Sequence, residues 1–424
     1  MAGWTLGYAQ RDVTPPMGVA LAGYGLQPDR TAQAVLDELY ARAIVLGDGT
    51  RRVVLCSVDV IGIAGDLALG VRKRVEKETG IPPECVLISA VHSHSTPTTS
   101  PLRHWGALNA GYVRSVLQAI GDAIVEAARG ERPVELGFAE TEVRGVAMNR
   151  VRKDGPVDHT LRVMAAREPG AARPTFVAAH FGCHPVCMNS HSRFVSADYP
   201  GRLLRDLKRA FPDARSAFFQ GCLGDINPEH THGGVDAAQN HGRTLAEATV
   251  RVLAELRYDA PAFVSGARVD LDLPLDAERY RRDAEAYLYR GVIPKLHDWI
   301  AVGGFMRDWA VEALALSAAG IPPTVRGEAQ ALRIGPAAVV GLPGEIYTLI
   351  GDGIRAQSPF PNTWIANFAN GNLGYLCDPR DYPEESYAAL MGPKIYGYPP
   401  FQPQAWETAV AAGLEALNRL PRGG

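Results

Sequence analysis

Short apolar runs rich in β-branched residues alternate with amphipathic helical stretches along this chain, and that alternation confines it to a small set of architectures. The runs cover residues 52–58, 85–91, 175–181, 216–219, 337–342 and 363–368. Helical periodicity falls at 66–79, 112–129, 199–211, 236–256 and 405–420. The pattern predicts an α/β fold, a mixed sheet core flanked by helices. At 424 residues, length alone favours two or three domains. No linker or 20–50-residue repeat divides the chain, however, so residues 1–424 are read as one domain. Residues 276–320 stand apart: they look helical, carry Tyr287, Leu288, Trp299, Ile300, Phe305, Met306 and Trp309, and lie between Pro274 and Pro322-Pro323. They are too few to fold alone and are expected to form a helical insertion, a lid over the substrate.

The residues just past each apolar run are more informative than the run itself. The successive ends carry Asp59, then His92-Ser93-His94-Ser95, Cys183-His184-Pro185, Gly224-Asp225-Ile226-Asn227-Pro228, Pro343-Gly344-Glu345, and Asn370-Gly371-Asn372-Leu373-Gly374-Tyr375. Open α/β sheets bind ligands outside the carboxyl ends of their strands, so a polar site is expected there. Ten of the eleven histidines lie between His92 and His241; by proportion about four would. Histidine is the commonest metal ligand and the side chain best suited to carry protons near neutral pH.

Each of these residues also has a plain structural reading. His92 and His94, two apart on an extended segment, should point to one face, although solvated loop histidines would look the same. His184 alone would read as a core histidine, and Glu345 as a first-turn helix residue favoured by the helix dipole. Tyr375 is one of 15 tyrosines. Cys183 and Cys187 form a C-x₃-C spacing with no second pair, which is a poor structural zinc site, so buried thiols are expected. His230 and His232 lie in a Gly/His-rich loop that either lines the mouth of a site or is simply solvated.

Composition removes several classes of function. Lys+Arg number 43 and Asp+Glu 46, a net charge of −3, so nothing calls for nucleic acid. No apolar run reaches the ~18 residues of a membrane span, and six cysteines in this length are no disulfide framework. Met1-Ala2-Gly3-Trp4 has no basic or apolar leader, and a cytoplasmic protein is expected. H-E-x-x-H, G-x-x-x-x-G-K-[ST] and G-x-S-x-G patterns do not occur.

Several short blocks recur in a recognisable order: Arg11-Asp12-Val13-Thr14-Pro15-Pro16 with Gly23-Tyr24-Gly25, Ser89-Ala90-Val91-His92-Ser93-His94-Ser95, Met148-Asn149-Arg150, and Cys183-His184-Pro185-Val186-Cys187-Met188. Gly224-Asp225-Ile226-Asn227-Pro228, Leu342-Pro343-Gly344-Glu345 and Ala369-Asn370-Gly371 through Gly374-Tyr375 complete the series. In that order the chain resembles the catalytic domain of the neutral/alkaline (non-lysosomal) ceramidase family, zinc-dependent amidases. The resemblance implies one Zn²⁺ held by His92, His184, Glu345 and Tyr375. It also implies His94, Arg150 and Asp225 as polar groups around the substrate carbonyl, with Asp59 close by. Tyr375 or His94, with Arg150, would stabilise the developing oxyanion, and His94 or Asp225 would carry the proton to the leaving amine.

Three departures from the family accompany the likeness. Asn227 stands where ceramidases carry serine, and Thr96-Pro97-Thr98-Thr99-Ser100 replaces their Gly-rich stretch. No C-terminal immunoglobulin-like domain or secretion signal is expected, as in the short bacterial members. The expected function is a zinc-dependent hydrolase of a linear amide, with a small-molecule or lipid-like amide as partner. The alternatives are an esterase, a lactonase or a hydrolase of small N-acyl amides; a non-catalytic metal-binding homologue is a third, resting on Asn227 alone.

Overall fold

The computed structural model describes residues 3–25, 27, 29–292 and 304–421. Several of its strands, Tyr40–Gly47 and Phe176–Phe181 among them, are buried along both faces, which is possible only where each face is covered. Eight strands form the larger sheet: β1 (Trp4–Asp12), β2 (Tyr40–Gly47), β3 (Arg52–Val58), β4 (Val86–Ala90), β5 (Arg132–Glu142), β6 (Thr160–Arg167), β7 (Phe176–Phe181) and β8 (Arg215–Gln220). Their spatial order is β8-β7-β6-β5-β1-β2-β3-β4. The β3–β4 and β7–β8 pairs are parallel and the other pairs antiparallel, so the sheet is mixed. A second sheet has the order β9 (Val264–Pro274), β10 (Thr324–Ile334), β11 (Ala337–Gly341) and β12 (Asn362–Ala366), with only β11–β12 parallel.

The two sheets share one apolar interior. Ile44, Leu46, Val53, Leu55, Phe176 and Phe219 of the first pack with Leu332, Ile334, Val339 and Trp364 of the second. On the far side of the first sheet, Ala43, Val45, Val54 and Cys56 pack under helices α1 (Gly65–Thr79) and α2 (Ala110–Arg129). Helices α3 (Asp198–Ala210) and α4 (Gly234–Leu253) cover its other wing. The outer face of the second sheet, including Val269, Leu271 and Leu273, lies against the 348–355 and 405–418 helices. The period-2 division of β2 between two cores is the physical content of its unbroken apolar sequence. The sequence-level fold class holds, with one addition: the sheet core is two sheets face to face between helical layers.

A single segment brings distant strand ends together. β4 and β8 are the two edges of the larger sheet, yet residues 367–370, leaving β12, bridge both. Asn367 N–H donates to Gln220 O (3.0 Å), Ser89 Oγ to Asn367 O (2.8 Å), and Asn370 N–H to Ile88 O (2.8 Å). Ser57 of β3 donates directly to Phe218 O of β8 (2.5 Å). The sheet thus curls until the chain after β4 lies beside the chains after β7 and β8.

The insertion emerges between β9 and β10. Its described part is two packed helices, α5 (Ala277–Arg290) and α6 (Phe305–Ala319); Trp299 and Ile300 lie outside the described residues. Tyr280, Phe305, Met306 and Trp309 pack on Ala22, Leu102, Trp105 and Ile395. Among the described residues no helix is long and apolar enough to cross a membrane.

Candidate metal centre

His92 follows β4 and sits in the left-handed region at φ +68°. The extended geometry expected for His92-Ser93-His94 is therefore not what brings the two rings together. The strand has already ended at Ala90, and a sharp turn at His92 sets the rings edge to face with their Nε2 atoms 3.1 Å apart. A non-glycine residue at positive φ costs of order 1–3 kcal/mol and persists only where the surroundings hold it. Here the ring stacks on Phe368 at 4.0 Å, and Nδ1–H donates to Ile61 O at 2.6 Å.

His184, fully buried, follows β7. Its Nδ1 lies 2.6 Å from Leu223 O and 3.1 Å from Ile226 O, so that nitrogen carries the proton and Nε2 is left with a bare lone pair. Burial lowers the basicity of both rings, that of His92 to about 4, so neither is expected to hold a second proton near neutrality.

Glu345 is not a helix residue. It forms a two-residue strand, Glu345–Ile346, parallel to Tyr375–Leu376 and in register with Tyr375. Its Oε2 stands 3.0 Å from His184 Nε2 and 3.8 Å from His92 Nε2, while Oε1 accepts from Tyr396 Oη at 2.7 Å. Burial opposes a charge on this carboxyl, but the surrounding groups, the Arg150 guanidinium among them, outweigh it and hold its pKa below the usual carboxylate value. Two bare imidazole nitrogens thus face an ionised carboxylate with no proton between them, an arrangement that calls for a cation. The spacing fits one. A tetrahedral ion with ligands about 2.0–2.1 Å away separates its donors by about 3.3 Å, and N/O donors of this kind suit Zn²⁺. His92, His94 and His184 by themselves form a group with ligand atoms within 4.8 Å of one another.

The other expected residues divide into two sets. Tyr375, beside Glu345, accepts from Arg150 Nη2 at 3.0 Å, and burial together with the carboxylate pushes its hydroxyl pKa well up. Arg150 is anchored by Gly224 O through Nε (3.2 Å) and Nη2 (2.7 Å). His94 lines the cavity above, with Nδ1 buried and unpartnered. Asp225 behaves differently: its carboxylate accepts from Thr348 N–H (2.8 Å), Thr348 Oγ1 (3.0 Å) and Asn149 Nδ2 (3.0 Å), and burial raises its pKa to about 6. Asp59 is committed to Arg42 (2.6 Å) and Tyr40 N–H (2.9 Å) within the sheet. Cys183 and Cys187 are buried thiols. His232 lines the cavity edge-on to Tyr24, whereas His230 packs against His241.

Above the centre lies a cavity of about 820 Å³, lined by Tyr24, His94, Arg150, Asn227, Tyr375 and Tyr387 among others. None of the described insertion residues lines it. α5 instead braces the rim: Arg279 pairs with Glu385 at 2.9 Å, next to the lining residues Glu384 and Ser386. Sequence reasoning missed several supports. Tyr396 was one tyrosine among many, and the carbonyls of Ile61 and Leu223 carry no sequence signal. Gly23 does have one: a Cβ there would lie 2.5 Å from His94 Cβ, and its φ is +100°, so only glycine lets the N-terminal loop close on that ring. Arg30, buried and with no acid paired to it among the described residues, donates to His94 O at 2.9 Å and holds the same loop.

The family model described as neutral/alkaline non-lysosomal ceramidase, N-terminal, matches residues 4–239. The crystal structure of neutral ceramidase from Pseudomonas aeruginosa superposes with a TM-score of 0.76 at 18% identity, over all of this chain and 76% of that one. A ceramidase complexed with C2 gives 0.76 at 17%, over all of this chain and 77% of that one. At such identities the likeness to these structures is one of fold.

Proposed function

This chain belongs to the neutral/alkaline non-lysosomal ceramidase family, and on that footing we propose that it is a zinc-dependent hydrolase of linear, ceramide-type N-acyl amides. The observation that carries the reading is the pair of bare Nε2 atoms, on His92 and His184, facing the ionised Glu345 beneath the cavity. His92, His184 and Glu345 would hold the ion with Tyr375. The Nδ1 bonds to backbone carbonyls support this, because ligating histidines almost always donate through their other nitrogen. His94 lacks such a bond and lines the cavity, which supports a role on the substrate side.

A zinc ion held there would supply Lewis acidity, polarising a carbonyl and lowering the pKa of bound water to about 7. The chain's own groups do the rest. Arg150, fixed by Gly224 and touching Tyr375, presents positive charge where negative charge develops on the carbonyl oxygen. His94, on the cavity wall beside the metal ligands, would move the proton to the leaving nitrogen. Asp225 is a positioning residue: it ties Thr348 to Asn149, and its backbone carbonyl holds Arg150 N–H at 2.8 Å. Tyr24, Tyr375 and Tyr387 offer the apolar wall that an acyl chain requires.

The test is elemental analysis of purified protein, followed by assays of long-chain N-acyl sphingosine, short N-acyl amides and matched esters with and without chelator. Amide cleavage that disappears on chelation and returns with Zn²⁺ is expected. Full cleavage by metal-free protein would sink the metal assignment. Ester turnover without amide turnover would move the enzyme to an esterase, and zinc binding with no turnover to a binding protein.

A further inference from the structure

The insertion turns one stripe of α6 towards the rest of the protein. Phe305, Asp308, Trp309 and Glu312 follow the i, i+3, i+4, i+7 spacing that places side chains on a single helix face. Asp308 Oδ2 stands 3.0 Å from His104 Nε2, and Phe305 meets the His104 ring edge-on. Lys394 Nζ lies 4.6 Å over the Trp309 ring, and Glu312 pairs with Arg103 Nη2 at 2.8 Å. The stripe therefore grips two segments, one at Arg103-His104 and the other at Lys394. Arg103 joins them: its N–H donates to Ile395 O (2.8 Å) and its Nε to Lys394 O (3.1 Å). Both carbonyls belong to the short helix Gly392–Tyr396. The last C=O groups of a helix have no partner within it, and a cation is favoured at that end. Past Tyr396 the chain turns at Gly397, φ +80°, where a Cβ would lie 3.6 Å from Arg103 Nη2. Arg103 is thus bonded to the two residues before Tyr396 and lies against the one after it, while Tyr396 Oη donates to Glu345 Oε1 at 2.7 Å.

We infer that Arg103, backed by Glu312, is a positioning residue for the metal centre: it sets the phenol of Tyr396 against Glu345. The described helices of the insertion then buttress the floor of the cavity, in place of the lid expected from the sequence. The inference rests on Glu345 as a metal ligand and is independent of which bond the enzyme cleaves. Glu312 is half-exposed, so its ion pair contributes little stability by itself. Its task is orientation. It holds the far end of the guanidinium while Nε stays on Lys394 O, and partners outside a metal's ligands act in this way, by fixing where a ligand atom points.

The test is a double-mutant cycle on the full chain, read as zinc affinity by competition with a chelator. Arg103→Met, which keeps an apolar stem, should weaken zinc binding about fivefold, less than the loss in Tyr396→Phe. In the Tyr396→Phe background the same change should weaken it by less than about twofold more, because the phenol through which Arg103 acts is gone. Arg103→Lys keeps the charge but not the planar fork; it should lose less than Arg103→Met, and it takes that variant's place in the cycle if the methionine form misfolds. Unchanged zinc affinity in the folded Arg103 variant, or losses that simply add in the double variant, overturn the inference. General destabilisation would give the additive result. A protein that shows the expected cycle yet cleaves no amide overturns the proposed function and leaves this inference standing; one that binds no zinc overturns both.

Discussion

At the floor of the cavity, His92, His184 and Glu345 stand just past core strands, and each has its outward polar atom fixed by Ile61 O, Leu223 O or Tyr396 Oη. The rim is assembled from loops and short helices. Gly23-Tyr24-Gly25 closes one side, and Glu384 to Ala388 close the other. The rim is fastened largely by ion pairs such as Arg152–Glu384 and Arg279–Glu385, whose acids are exposed, and such pairs contribute about 1 kcal/mol or less. The contrast separates two tasks. Geometry demanded to within fractions of an ångström is assigned to groups that the hydrophobic core immobilises. Shape and selectivity are assigned to segments that can change without unfolding the sheets.

Removing a floor residue should have the largest effect. His184→Ala should abolish bound zinc and amide turnover, exceeding the 10–100-fold that losing a metal's outer partners costs. Near-native zinc content in that variant would break the comparison. Gly23→Ala comes next: the added Cβ collides with His94 and forces alanine to positive φ, so turnover should fall about a hundredfold with zinc content unchanged. An equal loss of zinc would show that His94 belongs with the floor. Tyr396→Phe removes one bond to Glu345 Oε1 and should weaken zinc binding roughly tenfold, measured by competition with a chelator.

The smallest effect on activity is expected from Lys394, buried against Trp309 of α6 and away from the cavity lining. Burial holds its pKa at about 8, below the usual 10.5, with Asp283, Arg279 and Glu385 the charged groups acting on it. Its ammonium donates to Leu390 O (2.8 Å) and lies over Trp309. Between pH 8 and 10.5 the unfolded chain binds the extra proton, so this residue's contribution to stability rises with pH across that window. Lys394→Met should therefore raise Tm most below pH 8, with the advantage shrinking towards pH 10.5 and turnover little changed. An advantage independent of pH would show that the charge is not what burial penalises.

The elements of the fold were legible because hydrophobic periodicity is local. The run expected at 52–58 is β3 residue for residue, and those at 175–181 and 337–342 differ from β7 and β11 by one end residue each. The position of each polar residue past a strand end was legible for the same reason. Its surroundings were not. Glu345 carried a sound reading as a helix residue, and only pairing with Tyr375, thirty residues on, makes it a strand residue facing two histidines. Asp225 and Asp59 looked alike in sequence, yet one is locked to Thr348 and the other to Arg42.

By itself the sequence determined which side chains are available: imidazoles, a carboxylate, a guanidinium and phenols, each delivered at the end of a buried strand by the local rules of strand and turn. Tertiary structure alone decided that opposite edges of one sheet should meet, through residues 367–370 bonded to β4 on one side and β8 on the other. Hydrogen bonds between segments hundreds of residues apart leave no periodic trace in either segment. The convergence on one centre, and the carbonyls that strip the histidine lone pairs bare, therefore had to be seen folded.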